Sequence, residues 1–237
     1  MIYAEDGMEA CYAQFCQAHG FPVSVEIVRE GYRRFVYEDG EYFMAHCDVY
    51  ETNPRPRAYW RGANRAMLEY FGLRRPQAEH LAELVVSELR PNWRLFPDVC
   101  PALQSLKAAG LRLGVVSNWG PDLAETLAEV GIRRYFDAIV ASEVAGVVKP
   151  DPRIFGVALE ELGVAPENAV HIGDSHTMDV EGAVNAGVIP VLLDRKQICR
   201  DITCTRVNSL SELTVIIHGR QDSNRKGGVA PACQEEA

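Results

Sequence analysis

The chain has 237 residues, of which 47% are hydrophobic and 24% charged, enough apolar material for one large domain or for a core with an inserted module. Its formal net charge of −9 argues against nucleic acid or an anionic membrane as a bulk partner. The acidic start, Met1-Ile2-Tyr3-Ala4-Glu5-Asp6, lacks the apolar stretch of a secretory signal, and no apolar run approaches a membrane span.

Residues 8–92 read as helical by period. Residues 8–19 are rich in helix formers and end at Gly20. Val25, Val28, Tyr32, Phe35 and Val36 mark the apolar face of a second helix. Ala63, Met67, Leu68 and Phe71 mark a third, stopped by Gly72. Pro76 opens a fourth, with Leu81, Leu84, Val85 and Leu89 on its stripe. No strand is predicted here, and residues 1–92 are assigned to a helical cap module.

From residue 93 the pattern changes to alternating helix and strand. Helices are predicted over 101–109, 121–130, 152–162 and 180–186, and strands over 111–116, 137–141, 168–172 and 188–193. Asp151 can cap the helix that begins at Pro152 and ends at Gly163. Strands separated by helices of this length imply an α/β domain with a Rossmann-like parallel sheet over residues 93–218. Ligands of such sheets bind outside the carboxyl ends of the strands. Residues 219–237 are polar with Gly and Pro and few apolar anchors, and read as a disordered tail. Seven cysteines, odd in number and without a Cys-x-x-Cys spacing, are expected to be reduced thiols of a cytoplasmic protein.

The run His171-Ile172-Gly173-Asp174-Ser175-His176-Thr177-Met178-Asp179 is the most informative segment. An apolar strand ends at a glycine, an acid follows at once, and a second acid stands five residues later at a helix start. Two carboxylates at such a strand-to-helix turn are placed to hold a hard cation such as Mg²⁺. Ser117 ends the strand before Asn118-Trp119-Gly120-Pro121, where a hydroxyl beside free backbone N–H groups makes an anion site. Lys149 precedes the rigid stretch Pro150-Asp151-Pro152, which can aim its ammonium at a phosphate or carboxylate.

In order and spacing, Val115-Val116-Ser117-Asn118, Lys149-Pro150 and Gly173-Asp174 to Asp179 resemble the second, third and fourth motifs of the haloacid dehalogenase (HAD) superfamily. The likeness is to its phosphatase-like members with a helical cap. The segments Ser142-Glu143-Val144-Ala145-Gly146 and Pro150-Asp151-Pro152-Arg153-Ile154-Phe155 add to it. The resemblance implies Mg²⁺-dependent hydrolysis of a small phosphorylated metabolite. In it Ser117, with Asn118, holds the phosphoryl group, Lys149 neutralises the nucleophile and intermediate, and Asp174 with Asp179 ligates Mg²⁺. Metal-free dehalogenases resemble the family elsewhere but lack an acid directly after the glycine-like position, so Asp174 favours phosphoryl transfer.

The family's first motif, Asp-x-Asp-x-Thr/Val, supplies the nucleophile and the general acid/base from a central strand that precedes the cap. The nearest text here, Ala4-Glu5-Asp6-Gly7-Met8, puts Ala4 at the nucleophile position and reads as an accidental match. The first core strand and the nucleophile are therefore expected to be absent, and the chain as written to be inactive. Alternatives are a non-catalytic phosphate- and metal-binding or regulatory protein and, less favoured, a dehalogenase. Tyr59, Trp60 and Arg61 are candidate cap contacts to substrate.

Overall fold

The computed structural model describes residues 1–37, 56–195, 197, 204–213 and 215–217. The tail predicted at 219–237 lies outside the described residues.

The cap is built from α1 (Met8–Ala18), α2 (Val25–Tyr32), α3 (Pro56–Tyr70) and α4 (Arg75–Glu88). Ser24 begins α2 by accepting the Ile27 N–H on its hydroxyl at 3.3 Å, which satisfies one of the free donors of the first turn. Pro76 stands in the first turn of α4, where its missing N–H costs nothing. The predicted stripes converge: Tyr12, Cys16, Val28, Met67, Leu68, Ala78, Leu81 and Val85 form one buried cluster. The second predicted helix ends earlier as an α-helix than its apolar pattern suggests, because the chain widens into a π-helical turn over Arg33–Tyr37.

The second layer system begins where β1 (Ile2–Ala4) pairs antiparallel with β2 (Trp93–Leu95), Ile2 opposite Leu95. Neither strand is predicted from the sequence, since three residues are too few to show a period. Residues 1–4 were assigned to the cap, but Met1 packs instead on the α/β core cluster, and the described cap starts after this strand.

The α/β core then runs α5 (Val99–Ala108), β3 (Gly114–Ser117), α6 (Leu123–Glu129), β4 (Ala138–Ala141), α7 (Ser142–Ala145), α8 (Pro152–Leu162), β5 (Val170–Gly173), α9 (Gly182–Asn185), β6 (Ile189–Leu193) and β7 (Thr205–Val207). β3 pairs parallel with β4, and β5, β6 and β7 form a parallel set in that order. Among the described strands β3 and β5 are each paired on one side only. Successive residues face opposite layers, as strand geometry requires. Val115 and Ala141 join a cluster with α5 and α6, whereas Val116 and Val140 join one with α8 and α9. These parallel strand sets alternating with helices are the predicted Rossmann-like α/β class.

Two boundaries shift for local reasons. Leu111 closes the end of α5 by donating to the Leu106 carbonyl at 3.2 Å, and the Leu113 N–H is taken by Asp137 Oδ2 at 2.8 Å, so β3 starts at Gly114. The helix predicted at 180–186 is preceded by a π-helical turn over His176–Glu181. Within it, Asp179 and Val180 both donate to the Ser175 carbonyl, at 2.9 and 3.3 Å. The α8 prediction holds in detail: the Asp151 carboxylate accepts the Arg153 N–H at 2.9 Å, and Gly163 takes the left-handed conformation, φ 61°, that ends the helix. Across the core, Asp98 accepts both terminal nitrogens of Arg195 at 2.9 and 3.0 Å and the Leu210 N–H at 2.7 Å, tying the end of β6 to the start of α5.

Candidate active site

Three loops leave the carboxyl ends of parallel strands and meet. β3 delivers Ser117, Asn118 and Trp119. The segment after α7 delivers Lys149. β5 delivers Gly173, Asp174 and, through the π-helical turn, Asp179. The register sets the level: Ser117 stands opposite Ala141 on β4, and Gly173 opposite Leu192 on β6.

Lys149 is fixed at both ends. Its backbone is clamped by the Asn118 amide: the Lys149 N–H donates to Asn118 Oδ1 at 2.7 Å, and Asn118 Nδ2 donates to the Lys149 carbonyl at 3.1 Å. Its ammonium donates to Asp179 Oδ1 at 2.6 Å, with both side chains largely buried. Asn118, predicted to touch substrate, thus spends both polar atoms of its amide on the lysine loop. Trp119 is held in turn by the fully buried Ser142 hydroxyl, which accepts the Trp119 N–H at 3.1 Å and donates to its carbonyl at 3.3 Å.

Asp179 is 2% exposed, and both oxygens of its carboxylate are engaged. Oδ1 accepts from Lys149 and from His171 Nε2, the latter at 2.9 Å, and Oδ2 accepts the Ser175 N–H at 3.1 Å. Burial alone would push this carboxyl up. The His171 hydrogen bond and the Lys149 charge outweigh it and hold the group well below the usual carboxylate range. Gly173 makes this seat possible, since a Cβ there would stand 2.1 Å from Asp179 Cγ. A removed partner would leave an unpaired buried charge, which costs about 3–5 kcal/mol.

Asp174 is exposed, and no described hydrogen bond or ion pair engages its carboxylate. The α-amine of Met1 lies within electrostatic reach of Asp174 and Asp179. Among the described residues no three His, Cys, Asp or Glu side chains assemble into a ready-made metal cage. Mg²⁺ does not demand one; it is commonly held by one or two carboxylates together with water and substrate phosphate. The exposed Asp174 carboxylate fits Mg²⁺ in that form, and Asp179 Oδ2, which accepts a single N–H, keeps a further acceptor position.

Of the candidate cap contacts, Arg61 reaches Glu83 of the neighbouring cap helix at 3.6 Å, Trp60 is half-buried, and the side chain of Tyr59 lies outside the described residues. His171 and Ser142 are the site-shaping residues that sequence reasoning missed. For His171 the signal was present, a polar ring inside an otherwise apolar strand.

A family description, haloacid dehalogenase-like hydrolase, matches residues 6–187. The chain belongs to this family. It is 30% identical over 180 residues to haloacid dehalogenase-like hydrolase domain-containing protein 3 of Bos taurus, covering 75% of this chain and 71% of that protein. It is 39% identical over 132 residues to a phosphoserine phosphatase of Thermus thermophilus, covering 55% and 53%. The chain spans about half the length of several curated relatives that it matches. Among solved structures, a HAD phosphatase from Thermococcus onnurineus superposes with TM-score 0.57 at 25% identity, covering 89% of this chain and 88% of that one. A 2-haloacid dehalogenase from Pseudomonas syringae superposes with TM-score 0.56 at 26% identity, covering 90% of each chain. The HAD fold is common to both chemistries, so the choice between them rests on the site. No described helix of this HAD hydrolase is long and apolar enough to cross a membrane.

Proposed function

We propose that this HAD-like hydrolase carries the phosphoryl-binding site of a Mg²⁺-dependent phosphatase for a small phosphorylated metabolite, in the cytoplasm. The observation that carries the reading is a largely buried, doubly anchored Lys149 held against Asp179, five residues beyond an exposed Asp174 that follows β5. A phosphoryl oxygen is met by the Ser117 hydroxyl and the Asn118 N–H, the Trp119 N–H being held by Ser142. Lys149, its ammonium held against Asp179, offsets part of the phosphate charge in a site whose low dielectric strengthens the attraction. Asp174 would hold Mg²⁺, which when bound supplies charge stabilisation to phosphoryl oxygens. Asp179 and Asn118 are positioning residues for Lys149 in this reading. The names of the phosphatase relatives support it, and an acid at position 174 weighs against the metal-free dehalogenase alternative.

In Ala4-Glu5-Asp6-Gly7-Met8, Ala4 stands where the resemblance would put the attacking aspartate. On that resemblance, these 237 residues are proposed to bind phosphate without turning it over. With Mg²⁺ and p-nitrophenyl phosphate, it should release no more nitrophenol than the Ser117→Ala, Asp174→Asn double variant. Mg²⁺-dependent turnover that disappears in the double variant would mean that another nucleophile exists.

A further inference from the structure

We infer that His171 is a positioning residue for Lys149, acting through Asp179: its ring fixes the carboxylate oxygen that aims the lysine ammonium. The inference rests on the phosphatase reading for its importance, but not for its geometry. His171 lies on β5, and its side chain is largely buried. One face of its surroundings is apolar: the Phe155 ring of α8 meets it edge-on, with centroids 4.9 Å apart and planes at 90°. The other is the Asp179 carboxylate, whose Oδ1 takes His171 Nε2 at 2.9 Å. Lys149 donates to that same oxygen at 2.6 Å.

The geometry divides the work on Asp179 between two elements. The Ser175 N–H holds Oδ2 from the turn that carries Asp179 itself. That contact alone leaves the carboxylate free to swing about its own bonds. His171 comes from the strand, five residues before the π-helical turn, and pins Oδ1 from outside. A carboxylate held at both oxygens by different elements has one orientation, and the ammonium that follows it has one direction. Without the ring, Oδ1 is held by Lys149 alone, a four-carbon side chain with much rotational freedom. Phe155 blocks the ring from turning away, so the device consists of a packed aromatic, an imidazole, a carboxylate and an amine in series.

The consequence is read without turnover or bound ligand. Trace labelling with acetic anhydride followed by peptide mass spectrometry gives the relative acylation rate of each lysine. Three proteins are compared: the wild-type chain, His171→Phe, which keeps a ring against Phe155 and removes the donor, and His171→Gln, which keeps an N–H donor. Lys107, ion-paired with Asp137 at 2.8 Å on the far end of β3, is the internal control. Lys149 should acylate about tenfold faster in His171→Phe, the scale of one lost charge-assisted hydrogen bond. In His171→Gln it should return toward the wild-type rate, with Lys107 unchanged throughout. Equal Lys149 rates in wild type and His171→Phe, or no rescue by Gln, would overturn the inference. A rise shared by Lys107 would show a general loosening of the fold and would overturn it as well. Phosphate binding by the wild-type chain, titrated separately, tests the phosphatase reading, so the two can fail independently.

Discussion

Asp179 concentrates more interactions than any other acid of the described site, and it sets a pH dependence of stability. Its folded carboxyl lies below the ordinary value despite burial, because His171 and Lys149 favour the charged form. A carboxyl depressed in the folded state contributes stability fully above its unfolded value, about 3.9. That contribution is lost as pH falls through this value toward the lower folded one. Asp179→Asn removes the charge and leaves a buried ammonium without its counterion, at a cost of about 3–5 kcal/mol near neutral pH. Melting curves of the two proteins should therefore differ near neutral pH, and the gap should narrow progressively as pH falls below about 4. A gap that widens on acidification would reverse the sign of the argument. The role of this residue was half legible in the sequence. Its position after Gly173-Asp174 marked it as functional, but the spacing alone favoured metal ligation. The competing partners, His171 and Lys149, come from other elements and appear only when the strand ends meet.

At the scale of elements, the cap and the core are held by different means. The four described cap helices share one apolar cluster in which Tyr12, Cys16, Val28 and Leu68 are fully buried. Their stripes were readable because helices of 8–15 residues repeat their period two to four times. The core rests on short strands of three to five residues, and these were readable only where apolar and long enough. β1, β2 and β7 fell below that limit, and the π-helical turns leave no periodic signature at all. The separate clusters give a directional expectation. Leu68→Ala deletes a fully buried side chain and should destabilise the cap by about 2–5 kcal/mol. Amide exchange followed by mass spectrometry should show faster exchange in α1, α3 and α4 with little change in β3 to β6. Uniform acceleration through both regions would mean that cap and core unfold as one unit.

For the whole molecule, Ser117 and Asp174 stand at the carboxyl ends of β3 and β5, and Lys149 bridges the segments that follow these strands through Asn118 and Asp179. The net charge of −9 extends to this corner, where Lys149 is paired with Asp179 and Asp174 stands exposed. A phosphate binds there only if the lysine and a cation outweigh the surrounding negative charge. The most direct measurement of this account is a calorimetric titration of the 237-residue chain with inorganic phosphate, with and without Mg²⁺. Binding should strengthen with Mg²⁺, fall about tenfold in Ser117→Ala, the scale of a hydrogen bond to a charged group, and lose its Mg²⁺ dependence in Asp174→Asn. Phosphate binding that is indifferent to Mg²⁺, and equal in wild type and Asp174→Asn, would contradict the assignment of this strand end as a metal-assisted phosphoryl site.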